Sequence, residues 1–356
     1  MTTVDKSLIR DADLKAQLAA YDAGHTAGKA GLRSIYVREL EDEQARRDTA
    51  AAERAAMPRV QRKRALIRET VEAGDAGDRD NLRYIHSVLA ICGLPYTKQD
   101  IEVREYERRQ GRMSLVVEAG KLMSSTGKWE RQPLPFGSRA RLLMLHLCSE
   151  AIRQQSQTIE IADSLTAFIQ DMGFEVTGGK NGSLTYFKQQ VNALAACRLH
   201  IGVWGNGGAS TIETKPFSKM EVWLPDSPNQ KMLWPSTITF SREFYDNLTA
   251  RALPINNHVI RAFAGSARKL DLLFWLSYRL KNLSTPLVLS WDALQEQFGD
   301  GFSRKRDFRR QLAEEVADLK SVLPKLPLTL SEYGLSLAPA SISVLAIPAK
   351  KTIKKP

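Results

Sequence analysis

The chain has 356 residues, with 51 Lys plus Arg against 40 Asp plus Glu, a formal net charge of +11 and a pI of about 9.5. Its 43% hydrophobic content is enough for real cores, but no apolar run approaches the roughly 18 residues of a membrane span, and the stretch from Met1 to Asp13 lacks the apolar centre of a signal peptide. A cytoplasmic protein with no membrane partner is expected, and the basic excess favours a polyanion, although charge alone does not separate nucleic acid from other partners.

Residues 1–57 are rich in Ala, Arg, Asp and Glu. Their few large apolar side chains, such as Leu14, Leu18, Tyr36 and Leu40, are too sparse for a core, so the stretch reads as a solvated helix or a partly disordered arm. Pro58 interrupts it. Arg59, Arg62, Lys63 and Arg64 form a basic cluster, and the acidic run from Glu72 to Asp80 reads as a linker closing a first division at 1–80.

The segment Arg83 to Tyr96 reads as a short apolar helix stopped by Gly93 and Pro95, and Ser114 to Glu118 as either a strand or a helix start. A turn with Gly127 leads to Pro133 and Pro135. From Arg139 the pattern sharpens: Leu142, Leu143, Leu145, His146, Leu147 and Ile152 mark a helix buried on more than one side. Thr158 to Ile161 is a short strand, and Asp163 is placed to cap a second helix that ends at Met172 and Gly173. The cysteines Cys92, Cys148 and Cys197 lie far apart among apolar residues, which favours reduced core thiols over a disulfide set or a zinc site.

The stretch from Gly178 to Leu224 carries the most information. After Gly178, Gly179 and Gly182, Ser183 suits the N-cap of a helix whose Leu184, Phe187, Val191, Leu194 and Ala195 make one apolar stripe. At about 100° per residue the opposite face carries Thr185, Lys188, Gln189 and Asn192. Gln and Asn can make paired hydrogen bonds to an adenine edge, Thr can touch a thymine methyl, and Lys can reach phosphate or guanine, so this face suits a major groove. Leu199, Ile201 and Val203 then alternate, Gly205 to Gly208 break the run, and Met220, Val222 and Leu224 return. This predicts a two-stranded ribbon with a long tip containing Lys215 and Lys219. Helix, strand, helix, helix and hairpin is the order of a winged helix, here over 81–226, with the Gln189 helix in the place of the DNA reader.

Pro225 and Pro228 mark a linker, and Trp234 to Ser241 and Arg242 to Ala250 give a strand and a helix. The cycle then repeats over 227–340. Ser266 to Leu280 is a helix, Pro286 to Leu289 a strand, and Ser290 caps Trp291 to Phe298. Ser303 is placed to cap a helix to about Val322, and Leu328, Leu330, Leu335 and Leu337 alternate about Glu332 to Gly334 as a shorter wing. In the last helix Phe308, Leu312, Val316 and Leu319 form the apolar stripe. Arg304, Lys305, Arg306, Arg309 and Arg310 crowd its beginning, where cations oppose the helix dipole and a phosphate partner would explain them. Residues 341–356 read as a mobile tail ending in Lys350, Lys351, Lys354 and Lys355. The fold class expected is α+β: tandem winged-helix domains behind a charged N-terminal extension, helical or disordered.

Six blocks add a resemblance. They are Arg83 to Pro95, Gln132 to Leu142, Thr177 to Gly182, Leu233 to Ser236, Leu270 to Arg279 (LDLLFWLSYR) and Ser290 to Gly299 (SWDALQEQFG). In this order they resemble the plasmid-encoded RepA family of bacterial replication initiators from about residue 80 to about 340. The resemblance implies binding to repeated origin sites (iterons), local opening of the duplex, and recruitment of the host initiator DnaA and the replicative helicase. It also implies tandem winged helices that dimerise through the first unit, so a homodimer belongs among the expected partners.

Rival chemistry finds little support. Gly120 to Lys128 has the wrong spacing for a phosphate-binding loop, and Trp129 stands where Ser or Thr would hold magnesium. The five histidines, His25, His86, His146, His200 and His258, are isolated, so the paired metal ligands of a nicking enzyme are missing, and His146 reads as a core histidine. No catalytic centre, metal or cofactor is expected. A winged-helix transcriptional repressor remains the alternative from another class.

Overall fold

Ala-rich, Pro-free sequence favours helices, and the N-terminal part folds as two: α1 (Ala12–Gly24) and α2 (Ala30–Ala56). The computed structural model describes residues 8–24, 30–73, 80–124, 126–177, 182–205, 207–220 and 237–348. The chain divides into two compact units, 1–66 and 67–356. In the smaller unit Ile9, Leu14 and Leu40 are buried with Leu18 and Tyr36 against them, so the sparse apolar residues do assemble a small core of their own, contrary to expectation. Arg47 reinforces it by pairing with Asp11 at 2.9 Å and Asp13 at 3.0 Å. A third helix, α3 (Arg59–Ala73), carries the basic cluster. Within that cluster Arg62 donates to the carbonyls of Arg54, Ala55 and Met57, so this guanidinium closes the open end of α2. α3 also takes in Glu72, the first residue of the expected linker.

The larger unit opens with β1 (Leu82–Ile85) and the single-turn helix α4 (Ser87–Ile91), so the stretch expected as one helix is a strand and a turn. His86 caps α4 by accepting from the Val88 amide at 3.2 Å. β2 (Glu105–Gln110) and β3 (Met113–Glu118) form a hairpin, which makes 114–118 a strand, and a smaller hairpin of β4 (Lys121–Met123) and β5 (Trp129–Arg131) follows. The apolar run becomes α5 (Gly137–Gln154), buried almost throughout. Then come β6 (Thr158–Glu160), α6 (Ala162–Asp171), α7 (Ser183–Ala196), β7 (Arg198–Gly205), β8 (Gly208–Thr214), β9 (Phe217–Met220) and β10 (Thr237–Phe240). Asp163 lies inside α6 and Ile161 holds its N-cap position, so the expected cap is displaced.

The order of elements is as expected, but the pairing is not. The ribbon closes tightly at Gly207, with Leu199 opposite Thr214 and Val203 opposite Ser210, and β7 adds to the first hairpin in a sheet ordered β2-β3-β7-β8. β9 turns away and joins β6 through β10, in the order β6-β10-β9. The reason is visible in β8: its residues up to Glu213 are exposed, whereas Phe217 is buried with its ring centre 5.1 Å from that of Phe240, so the apolar return belongs to the other sheet. The expected return through Val222 and Leu224, the linker at Pro225 and Pro228, the turn at Gly178 and Gly179 and the division between 226 and 227 lie outside the described residues.

α8 (Arg242–Arg251), β11 (Leu253–Asn256) and α9 (Asn257–Phe263) lead to α10 (Ala267–Asn282). β11 pairs antiparallel with β1, joining the two halves of the larger unit. The rest follows the expected cycle: β12 (Leu287–Ser290), α11 (Trp291–Phe298), α12 (Lys305–Val322), β13 (Leu328–Ser331) and β14 (Gly334–Leu337), in a sheet ordered β12-β14-β13. Leu335 and Leu337 are buried between strands, and Gly334, with φ +144°, is required because a Cβ there would lie 1.9 Å from the Leu289 carbonyl oxygen. Ser290 caps α11 as expected, but Arg304, not Ser303, occupies the N-cap of α12 and provides no side-chain cap. Residues 341–348 are not a loose tail: Leu345 and Ile347 are buried and Asn256 Nδ2 donates to the Ala346 carbonyl at 2.9 Å. The four terminal lysines lie outside the described residues.

A buried ionic cluster stands where α5, β2 and α10 meet. Asp271 accepts from Arg141 Nε at 2.6 Å and Nη2 at 2.7 Å, and from Arg108 Nη1 at 3.1 Å. Arg141 also donates to the carbonyls of Leu94, Pro95 and Gly137. Arg108, Arg141 and Arg268 lie 4.4, 5.1 and 4.5 Å from the ring centre of Tyr96, whose π face offsets the surplus positive charge. Asp271→Asn leaves two buried guanidiniums facing a neutral group and is expected to cost about 3–5 kcal/mol. Gly93→Ala puts a methyl 2.2 Å from Asp271 Oδ2 and is expected to cost roughly 1–3 kcal/mol. Urea unfolding reads both, and unchanged midpoints would remove the cluster from any supporting role.

Burial also pushes His86 and His146 down to about 4, His86 stacked on Phe244 and His146 on Phe168. Both are therefore neutral in the fold, with an ordinary value near 6.5 when unfolded. Their contribution is complete above about pH 6.5 and is lost as pH falls toward 4, at most roughly 3 kcal/mol for each. The melting temperature is expected to drop between pH 7 and pH 4.5, and to drop less in His86→Asn, which keeps a capping side chain without the titration. An equal drop in both proteins would clear His86.

Candidate nucleic-acid interface

α7 packs on α5 through Phe187, Gln190, Val191, Ala193 and Leu194, all buried. Gln190 accepts from the Phe136 amide at 2.8 Å, which ties the helix to the segment before α5. The N-cap position belongs to Gly182, not Ser183. Ser183 instead donates to the Glu175 carbonyl and accepts from the Thr177 amide at 3.2 Å, fastening the start of α7 to the chain before the Gly-rich turn. A cap hydroxyl must sit outside the helical turn, and Ser183 is already in it.

On the outward side Gln189 is exposed and Tyr186 is 41% exposed, whereas Thr185, Lys188 and Asn192 are half-buried. Gln189 and Asn192 share the wall of a cleft with Lys98, Asp100, Gln132 and Phe136. Burial holds the Lys188 ammonium below the usual lysine range. Arg139 of α5 stands 4.9 Å from the Tyr186 ring centre and 5.7 Å from that of Phe187, placing a cation beneath the same helix. The polar face thus presents two amides, Gln189 and Asn192, in the wall of a cleft.

Lys215 and Lys219 are both exposed, but neither is at the tip of a ribbon. Lys215 follows β8, and its carbonyl accepts from the Ser241 hydroxyl at 2.6 Å. Lys219 lies on β9 opposite Thr239. The expected tip fails because the return strand is β8, which begins at Gly208.

α12 presents the other half. Phe308, Leu312, Val316, Leu319 and Val322 are buried, together with Glu315, which pairs with Arg268 at 3.3 Å. Arg304, Lys305, Arg306, Arg309 and Arg310 are all exposed on its first two turns. Lys305 reaches Asp292 at 2.7 Å, Arg310 reaches Asp307 at 3.7 Å, and Arg309 lies 5.1 Å from the ring centre of Trp291. These exposed contacts contribute little to stability, and Arg304 and Arg306 have no ion pair among the described residues. The arrangement is a dense cationic ridge on a firmly seated helix.

Sequence reading passed over the β4–β5 hairpin, which carries Lys121, Lys128, Trp129 and Arg131, all exposed. Its signal was present as two three-residue runs of mixed polar and apolar side chains about Gly127, too short to separate from an ordinary turn. Cys92, Cys148 and Cys197 are buried free thiols pushed up to about 12 by burial, which suits packing and not chemistry. No helix among the described residues is long and apolar enough to cross a membrane.

Comparison with known proteins completes the picture. No curated protein sequence matches the chain. Among solved structures, domains 2 and 3 of RctB superpose with a TM-score of 0.44 at 9% identity, covering 68% of this chain and 88% of that one, a likeness too distant to carry detail. A family model described as plasmid-encoded RepA protein matches residues 134–293, from the approach to α5 into α11, and so takes in α7 and the Asp271 cluster. Over residues 134–293 the chain is therefore similar to the plasmid-encoded RepA family.

Proposed function

We propose that the protein initiates plasmid replication by binding double-stranded DNA at repeated origin sites, helping the duplex to open and recruiting the host initiator DnaA and the replicative helicase. The observation that carries the DNA-binding part is α12: five exposed cations on its first two turns above a buried apolar stripe. Basic groups at a helix start oppose the helix dipole and their exposed contacts add little, whereas a phosphate backbone gives a reason for them. The family match supplies the plasmid and replication context. The helix, strand, helix, helix and hairpin order of 267–337, with β12 pairing β14, supports reading this part as a winged helix with α12 as its groove helix. The protein acts in this reading as a binder and not as an enzyme.

Within this reading α7 is the second contact. Gln189 reads a base edge, with Thr185 and Asn192 beside it. Lys188, Lys215 and Lys219 contact phosphates, and Ser183 holds the start of the helix in place. The host contacts and any homodimer follow from the family alone.

Two outcomes test the division of labour, both by electrophoretic mobility shift of the full chain on DNA flanking its coding sequence. Arg309→Ala and Arg310→Ala are expected to weaken binding on every sequence and each to lower the slope of affinity against salt by about one. Unchanged slopes would remove α12 from the phosphate backbone. Gln189→Ala is expected to cost about 1–3 kcal/mol on the preferred repeat and to relax the choice of sequence. If wild type and Gln189→Ala discriminate equally between that repeat and a scrambled duplex, α7 is not the reader. Protection of several direct repeats in a footprint, as opposed to one inverted repeat, separates an initiator from a repressor.

A further inference from the structure

The β4–β5 hairpin shows a face that folding does not explain. In its register Lys121 stands opposite Arg131 and Met123 opposite Trp129. Directly opposed, alternate residues of an antiparallel pair share one face, so two cations and two large apolar side chains project together. All four are exposed, Trp129 at 66% and Met123 at 47%. Like charges facing each other across strands are destabilising, and an exposed indole contributes little to folding. Arg131 has an exposed partner in Glu102 at 3.0 Å, and exposed Lys128 adds a further cation at the turn. Glu130, the one carboxylate on these strands, pairs with Leu122 on the opposite face.

The hairpin is nevertheless firmly built. Ser124 N donates to the Lys128 carbonyl at 2.8 Å, and Gln132 N to the Gly120 carbonyl at 3.0 Å. Gly120 lies so close to the end of α7 that a Cβ would come 2.0 Å from the Ala196 carbonyl oxygen, and β4 packs on α7. Three-residue strands are marginal alone, so this anchorage holds the hairpin beside the helix proposed above as a reader.

Cations next to an exposed aromatic face suit phosphates next to a base face. In a closed duplex the base faces are stacked on each other and only their edges are open, so an indole stacks without an unstacking cost where a base is unpaired. We infer that the β4–β5 hairpin binds unpaired DNA strand, with Trp129 stacked on a base, Met123 against the same base, and Lys121, Lys128 and Arg131 on the flanking phosphates. This rests on the DNA-binding reading above and assigns it a second form of DNA. It places the single-strand contact next to α7, where opening strands would be caught as they part.

Fluorescence anisotropy of the full chain on labelled oligothymidylate, and separately on a duplex from the DNA flanking its coding sequence, tests this. Trp129→Ala is expected to weaken oligothymidylate binding on the order of tenfold, and Trp129→Phe to weaken it less, while duplex binding stays within about twofold. Thermal melting at the wild-type temperature shows that the exposed substitution leaves the fold intact. Should Trp129→Ala melt early, Trp129→Phe and Lys128→Gln replace it, each with reduced oligothymidylate affinity expected. The inference is overturned by a wild type that does not bind oligothymidylate, by Trp129 variants that bind it unchanged, or by equal losses on single strand and duplex. Failure of the wild type on duplex, with Trp129-dependent oligothymidylate binding retained, would sink the origin-binding reading and leave the hairpin assignment standing.

Discussion

One carboxylate holds the larger unit in register. Asp271 is shared by guanidiniums from β2 and α5, and all three groups are almost wholly buried. Removing charges from water costs several kcal/mol per ion, which a pair recovers only with good geometry and with every remaining donor satisfied. Arg141 meets that condition by spending its other protons on backbone carbonyls at 94, 95 and 137. Arg108 adds a bond to the Tyr106 hydroxyl at 2.9 Å, and Tyr106 in turn donates to Asp300 at 3.0 Å. A hydrophobic contact tolerates sliding; this network does not, because a small shift leaves a guanidinium unpaired in a low dielectric. The consequence reaches both candidate contact helices. α7 packs on α5, α12 packs on α10, and α5 and α10 are locked to each other through Asp271.

The same cluster marks where sequence reading loses sight of the fold. Along β2 the inward residues are Arg108 and Gln110 while Glu105, Glu107 and Arg109 face out, so polar residues occupy both faces and no hydrophobic alternation signals a strand. Gln110, with its amide set so that its oxygen meets donors, accepts from Trp275 Nε1 at 2.8 Å and Gln297 Nε2 at 3.2 Å, partners far away in the chain. The pairing of β1 with β11 is equally remote. By contrast 267–337 was legible almost residue by residue: Ser290 caps, the Leu pairs of β13 and β14 alternate, and the stripe from Phe308 to Leu319 has an unbroken helical period. Local signals sufficed there because neighbouring elements in sequence are neighbours in space. The β7–β8 ribbon failed on that assumption, since its apolar residues serve two different sheets.

For the candidate contacts, legibility followed chemistry. The cations of α12 stood out because they conflict with the helix dipole, a rule that needs no tertiary information. The half-burial of Asn192 did not show, because the cleft it lines is made by Lys98 to Ile101 and by Gln132, Pro133 and Phe136, segments with no periodic pattern.

That burial bears on how α7 and α12 divide a task. A fully exposed Arg attracts a phosphate over about a Debye length of 8 Å at physiological ionic strength, and does so on any sequence. Asn192, half-buried in the cleft, has already lost part of its hydration and its rotamer freedom, so less remains to be lost when it meets a base edge, and a mismatched base leaves it unsatisfied. Under the proposed function, the five cations of one helix would set how tightly and how quickly DNA is met, while the small polar side chains of the other would set which DNA is kept. Because both helices hang from the Asp271 cluster, neither can shift to accommodate a mis-spaced site without straining a network that has no slack. In this reading repeat spacing is specified by the rigid frame as well as by base contacts, and a protein lacking the cluster would lose selectivity before it lost affinity.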